Sequence, residues 1–167
     1  MPPPLILDPV TLDLTQVVAD RDAIRAINPQ RFEMEQLDAI VYLNHEQQIV
    51  VGYKDVRDDE FWCRGHMPGM PLLPGVLMCE AAAQMASYYA VTQKVIEAGG
   101  ILGFGGLEEV RFRGMVKPGD RFVLICKGER LKARQSIFKV QGFVGTKMVF
   151  EATVIGVPLV RGEQPGS

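Results

Sequence analysis

Between Pro74 and Ala98 the chain carries a run with almost no polar face, and that run limits what the rest can fold into. Eighteen residues, Val76 to Gln93, are apolar or small apart from a few polar groups and the single charge of Glu80. The alanines favour a helix from about Pro74 to Ala98, and Gly99-Gly100 read as its terminator. A helix that is apolar nearly all round belongs in a bilayer or in the middle of a soluble core. A span of ~18 residues is at the lower edge for crossing a membrane. Glu80, Gln84, Ser87, Thr92 and Gln93 would also be costly in lipid. The core reading follows, with no membrane insertion, and the helix then needs cover on every side. A curved sheet wrapped around it supplies that cover.

The flanking sequence fits this demand. Apolar positions from Leu12 to Ile27 suggest one or two short helices, stopped by Asn28-Pro29. Leu37 to Leu43 and Ile49 to Val56 read as strands joined by the Asn44-His45-Glu46-Gln47 turn. Asp58-Asp59-Glu60 is a solvated break, and Phe61 to Pro74 is a loop. Beyond the helix, Val110–Val116, Arg121–Lys127, Ser136–Val144 and Lys147–Ile155 alternate at period two. Their connections, Lys117-Pro118-Gly119-Asp120, Gly128–Arg134 and Gly145-Thr146, are short, which predicts an antiparallel meander. The fold class is therefore α+β, an antiparallel sheet around one long apolar helix. The 167 residues suit one domain, divided into an N-terminal extension (1–21), the main domain (22–158) and a polar tail (159–167).

Composition removes several classes of function. A formal charge of −2 lacks the basic excess of a dedicated nucleic-acid binder. Three scattered cysteines, Cys63, Cys79 and Cys126, form neither a disulfide framework nor a zinc knuckle. Met1 to Asp8 has no basic segment followed by a long apolar core, so a cytoplasmic, reducing setting is expected. His66 and His45 have no partner at metal-ligand spacing, and no metal is expected.

The chemistry-bearing stretch is Gly65 to Gln84, G-H-M-P-G-M-P-L-L-P-G-V-L-M-C-E-A-A-A-Q. Prolines at 68, 71 and 74 stiffen an extended loop, and Pro74 fits the first helical position. Gly75 and Val76 would then offer free N–H groups at the positive end of the helix dipole, a place to polarise a carbonyl. A bare glycine there lets a ligand oxygen approach closely. Glu80 and Gln84, four residues apart, project from one face. An isolated carboxylate in such a helix should resist ionising and serve as a proton donor, and His66 is a natural base near neutral pH. One base, one acid and a carbonyl-polarising helix end are what β-elimination of water beside a carbonyl requires. His66 and Glu80 can meet only if the loop folds back or if a second subunit supplies one of them. A structural glutamate bonded to Gln84, a plain loop histidine, and methionines serving as core filler remain open on spacing alone.

Gly65–Gln84 resembles the signature G-H-F-P-x-x-P-x-x-P-G-V-L-x-x-E-A-x-A-Q of the hot-dog-fold 3-hydroxyacyl-acyl-carrier-protein dehydratases. Asn28-Pro29-Gln30-Arg31-Phe32 is similar to that family's L-P-H-R-Y, and Asp38 fits as well. Arg111-Phe112-Arg113 and Val116-Lys117-Pro118-Gly119-Asp120 are similar to R-F-R-x-P-V-x-P-G-D, so the likeness spans about residues 22–158. It implies a hot-dog fold, no cofactor, and a homodimer or trimer of dimers with sites at the dimer interface. It also implies His66 and Glu80 as the catalytic pair, contributed by different subunits. Gly75 and Val76 would bind the thioester carbonyl, Gln84 would support the acid, and Met67 and Phe104 would line the acyl site. The chain departs from the pattern at Met67, Gln30, Glu33 and Met115. Another thioester enzyme on this fold, such as a thioesterase or a hydratase acting on coenzyme A esters, and a non-catalytic acyl-binding scaffold are the rival readings.

The small net charge hides an asymmetry. Asp8–Glu60 holds 12 acids and 5 bases, and Arg111–Lys139 holds 9 bases and 2 acids. Either the two halves pair in the fold, or the basic region, through Arg111, Arg113 and Lys117, docks an acidic acyl carrier protein.

Overall fold

The structure, a computed structural model, describes Met1 and residues 3–159. The polar tail after Leu159 lies outside the described residues. Two helices, α1 (Arg21–Arg25) and α2 (Gly75–Thr92), accompany six strands: β1 (Ala39–Asn44), β2 (Ile49–Asp55), β3 (Ile101–Phe112), β4 (Arg121–Leu131), β5 (Ser136–Val144) and β6 (Lys147–Leu159). All six strands form one antiparallel sheet in the order β1-β2-β4-β5-β6-β3.

The α2 helix lies on one face of this sheet and is buried almost all round from Leu77 to Ala90. Its approach is close. A β-carbon added at Gly52 of β2 would fall 2.9 Å from Met85 Sδ and 2.7 Å from the Ala39 carbonyl oxygen, so only a glycine fits there. The aromatics Phe122, Phe138 and Phe150 of β4, β5 and β6 fill the space between helix and sheet, Phe138 edge-on to Tyr89. No helix among the described residues is long and apolar enough to cross a membrane.

Three expectations need correction. The helix stops at Thr92, six residues before Ala98, because Lys94 takes the left-handed conformation at φ 56°. The Val95 N–H then reaches back to the Ala90 carbonyl (2.9 Å) and the Lys94 N–H to that of Val91 (3.0 Å), which satisfies the helix end without glycine. The third strand begins at Ile101, not Val110, and ends at Phe112. Glycines at 103, 105 and 106 and the acids Glu108 and Glu109 disguise its first part, which tolerates them because β3 is an edge strand with two register shifts. The meander also fails at its first step. The Lys117–Asp120 turn does not make a hairpin; the chain crosses from one edge of the sheet, so that β3 pairs with β6. Of Leu12 to Ile27, only Arg21–Arg25 is α-helical, capped by Asp20 accepting from the Ala23 N–H.

The outer face of the sheet is apolar too. Val41, Val51, Tyr53, Val123, Ile125 and Phe143 form a second cluster there, and Ile6, Leu7, Leu12 and Leu14 of the N-terminal segment pack on it. Gln141 of β5 fastens that segment, accepting from the Ile6 N–H and donating to the Pro4 carbonyl, both at 2.9 Å. One side-chain amide thus stands in for a neighbouring strand. At the head of β1, Asp38 receives Arg21, Arg57 (2.7 Å) and the Asp55 N–H (2.7 Å). Burial works against its ionisation, but these hydrogen bonds outweigh it and hold the carboxyl below its ordinary pKa.

Replacing Gln141 by Ala leaves the Pro4 and Ile6 main chain without partners. The expected loss is about 1–3 kcal/mol in denaturant unfolding, with faster proteolysis between Leu5 and Leu14. Unchanged cleavage would mean that the amide does not hold the segment. Because Asp38 titrates lower folded than unfolded, its contribution is present above pH ~4 and is lost as pH falls through the folded value. Asp38→Asn should therefore lower stability at neutral pH and flatten its fall between about pH 5 and pH 2, read from melting temperatures.

Candidate active site

The His66 loop is anchored from below. Trp62 is buried in the core, and its carbonyl accepts the N–H groups of Gly65 (3.2 Å) and His66 (2.7 Å). The buried ion pair Lys54–Glu60 (2.9 Å) ties the preceding turn to β2. Beyond His66 the chain reverses through Met67 (φ 64°) and Gly69 (φ 83°), closed by the Met70 N–H on the Met67 carbonyl (2.8 Å). That reversal brings the loop back onto the imidazole. His66 Nδ1 lies 2.7 Å from the Leu72 carbonyl oxygen. A carbonyl only accepts, so Nδ1 carries the proton and Nε2 of the neutral ring is the basic nitrogen. The loop is also held across the fold, the Leu73 N–H donating to the Val116 carbonyl (2.7 Å).

Three residues after Leu72, α2 begins. The Pro74 carbonyl accepts from Leu77 (2.9 Å) and Met78 (3.2 Å), while the N–H groups of Gly75 and Val76 find no acceptor among the described residues. The histidine and the positive end of the helix thus belong to one short, proline-stiffened segment. Gly75 has a reason beyond ligand approach. A β-carbon there would meet the Phe112 ring at 2.8 Å, so the glycine lets the end of β3 cover the helix start. Val76 is 76% exposed.

Glu80 is not the isolated buried carboxylate expected. It is half-buried, and Gln84 Nε2 donates to its Oε1 at 2.8 Å. Gln84 itself is buried and fully engaged: Nε2 also donates to the Met34 carbonyl (2.6 Å), and Oε1 accepts from the Gln36 N–H (2.9 Å). Asn28 Nδ2 ties the same segment to the Gln84 carbonyl (3.0 Å). Reading the sequence missed Phe112, Asn28 and the main chain of Met34 and Gln36. A buried glutamine at i+4 from the acid was the available sign that some backbone must satisfy it.

No hydrogen bond among the described residues joins His66 to Glu80 within one chain; each is held by its own neighbour. Met67 (50% exposed) lies on the reversal beside His66, and Phe104 (48%) lies on β3. Cross-strand partners share a face, so Phe104, Leu107 and Phe112, opposite Gly156, Val154 and Phe150, point to the helix side of the sheet. Arg111 pairs with Glu151 in register and lies on the outer side. Arg113 forms an ion pair with Glu151, and Lys117 is exposed in the following turn. A cavity of about 640 Å³ also opens on the outer face, between Pro4 and Ile6 and the side chains of Arg111, Lys127 and Glu151; of the site residues expected from the sequence, Arg111 and Arg113 alone line it. Burial pushes the Cys79 and Cys126 thiols up, away from nucleophilic thiolate character.

Comparison with known proteins fits this arrangement. A family model described as a FabA-like domain matches residues 28–153. The 3-hydroxyacyl-[acyl-carrier-protein] dehydratase FabZ of Clostridium beijerinckii is 35% identical over 79% of this chain and 93% of its own length. That of Syntrophobacter fumaroxidans is 39% identical over 76% and 85%. Among solved structures, the dehydratase heterocomplex ApeI:P from Xenorhabdus doucetiae matches with a TM-score of 0.68 at 14% identity, covering 83% of this chain and 91% of that one. Cj0977 of Campylobacter jejuni matches with a TM-score of 0.63 at 14% identity, covering 90% and 95%. The solved structures carry the hot-dog fold alone, whereas the family model spans the stretch from His66 to Gln84. On that ground the chain belongs to the FabA-like family of 3-hydroxyacyl-[acyl-carrier-protein] dehydratases.

Proposed function

We propose that this protein removes water from a (3R)-hydroxyacyl thioester on acyl carrier protein, giving the trans-2-enoyl thioester, in cytoplasmic fatty acid biosynthesis. His66 Nε2 takes the proton alpha to the thioester carbonyl, and that C–H electron pair becomes the new double bond. The β-carbon–oxygen bond breaks as the Glu80 carboxyl passes a proton to the departing hydroxyl, and water leaves. The Gly75 and Val76 N–H groups bear the charge that builds on the carbonyl oxygen. Return of the proton from His66 to Glu80 or solvent resets the site. The observation that carries this reading is the His66 Nδ1–Leu72 bond, which ties the imidazole to the main chain three residues before a helix start whose first two N–H groups have no acceptor among the described residues.

A second copy of the chain completes the site in this reading. The edge strand β3 leaves one side unpaired, and Phe104, Leu107, Phe112 and Val76 are exposed apolar residues beside it. Pairing two such edges around a two-fold axis covers that strip and brings His66 of one subunit toward Glu80 of the other. The same reading allows a trimer of such dimers. Arg111 and Arg113 flank Phe112 at the end of β3, Arg111 on the outer side of the sheet, and Lys117 follows; an acidic carrier docks on that outer side, away from the paired edge.

His66→Ala and Glu80→Gln should each lower kcat for hydration of a crotonyl thioester by about 10²–10⁴-fold, followed by enoyl absorbance. Undiminished turnover in either variant would contradict the assigned roles, and free-thiol release without enoyl product would point to a thioesterase. With a carrier-bound substrate, kcat/KM should fall with added salt and on charge reversal at Arg111 or Lys117. Carrier kinetics indifferent to both would remove the docking surface.

A further inference from the structure

The grip on Gln84 is made by main-chain groups of the Asn28–Gln36 segment, and one side chain shapes that segment. Arg31 Nη1 donates to the carbonyls of Asn28 (2.8 Å) and Gln30 (2.7 Å), and Nη2 to that of Arg25 (3.0 Å). Three carbonyl dipoles from one short stretch converge on a single guanidinium, an arrangement only a delocalised, multi-donor cation sustains. Immediately after it, Phe32 sits at φ 57°, a conformation that an L side chain adopts only when its surroundings impose it. Glu35 completes the turn, accepting from the Phe32 N–H (3.2 Å) and from Arg25 Nε (2.8 Å). The chain that emerges presents the Met34 carbonyl and the Gln36 N–H to the two ends of the Gln84 amide. Gln84 is thereby fixed with Nε2 on Glu80 Oε1, which leaves Oε2 as the oxygen free to exchange a proton.

We infer that Arg31 is a positioning residue for the acid: it gathers the Arg25, Asn28 and Gln30 carbonyls into the turn that holds Gln84, and through Gln84 it sets the orientation of the Glu80 carboxyl. The inference rests on the reading of Glu80 as the acid. Arg31 is itself exposed, and its hydrogen bonds go to Arg25, Asn28 and Gln30, so its influence runs only through the turn. Its loss therefore falls on the proton-transfer step, while binding of the acyl chain and carrier is spared.

The test is a double-mutant cycle on hydration of a crotonyl thioester, with kcat and KM measured for Arg31→Ala, Gln84→Ala and the double variant, and Glu80→Gln alongside. Arg31→Ala is expected to lower kcat about 10-fold or more, with KM within about 3-fold of wild type. In the Gln84→Ala background the same change should cost nothing further, because the path it acts through is already gone. Arg31→Lys keeps the charge with one donor centre and should fall between; it serves in the cycle if Arg31→Ala does not fold. Unchanged kcat in the Arg31 variants, a loss confined to KM, or losses that multiply in the double variant would each overturn the inference. If Glu80→Gln turns over normally, the reading of the site fails first. If Glu80→Gln and Gln84→Ala are impaired while Arg31→Ala is not, only the role of Arg31 is refuted.

Discussion

A helix of 18 residues without a polar side cannot lie on a protein surface, and the rest of this chain is arranged by that constraint. The sheet covers one side, the segment from Asn28 to Gln36 crosses another, and the Phe112 ring packs against Gly75 at the N-terminal end. Burial of this kind makes an unpaired amide costly. Gln84, in the middle of the helix, therefore dictates where the Met34 carbonyl and the Gln36 N–H must lie. The same bonds orient Glu80, so packing and proposed chemistry share one set of contacts.

The helix start works by the opposite logic. It is left open, with two N–H groups unsatisfied and Val76 exposed, while the adjacent histidine is locked through Nδ1. Stiffness comes from the prolines and from the bond between Leu73 and Val116, which joins the loop to the segment after β3. Flexible side chains at this position would have to lose freedom each time a substrate bound; a pre-set loop does not.

Much of this was legible in the residues alone. The long helix and five of the six strands to within a few residues follow from periodicity, and the motif places the proposed site residues His66, Gly75, Val76, Glu80 and Gln84 on one loop and the helix it leads into. What escaped has common physical causes. The first half of β3 is an edge, where a strand needs neither alternation nor β-branched residues, so glycines and acids masked it. Pairing of β3 with β6 is a long-range choice that a short turn after β3 misrepresents. The helix end at Lys94 is stabilised by main-chain bonds without glycine, leaving no mark in the sequence. The charge asymmetry was visible, but its pairing was not. Four acids of the first half pair with bases of the same half, Asp38 with Arg21 and Arg57, Glu35 and Asp22 with Arg25, and Glu60 with Lys54. One pair among the described residues joins the two halves, Asp55 with Arg121, whose guanidinium also lies 3.8 Å over the Tyr53 ring.

The arrangement in which one subunit's histidine works with the other's glutamate can be tested by subunit mixing. His66→Ala and Glu80→Gln proteins, each inactive alone, are combined under conditions that exchange subunits, and hydration of a crotonyl thioester is followed. Random exchange in a two-fold dimer gives mixed dimers with one intact site, so about a quarter of wild-type activity should return. Exchange demonstrated by mass, with no activity regained, would contradict a site shared between two chains.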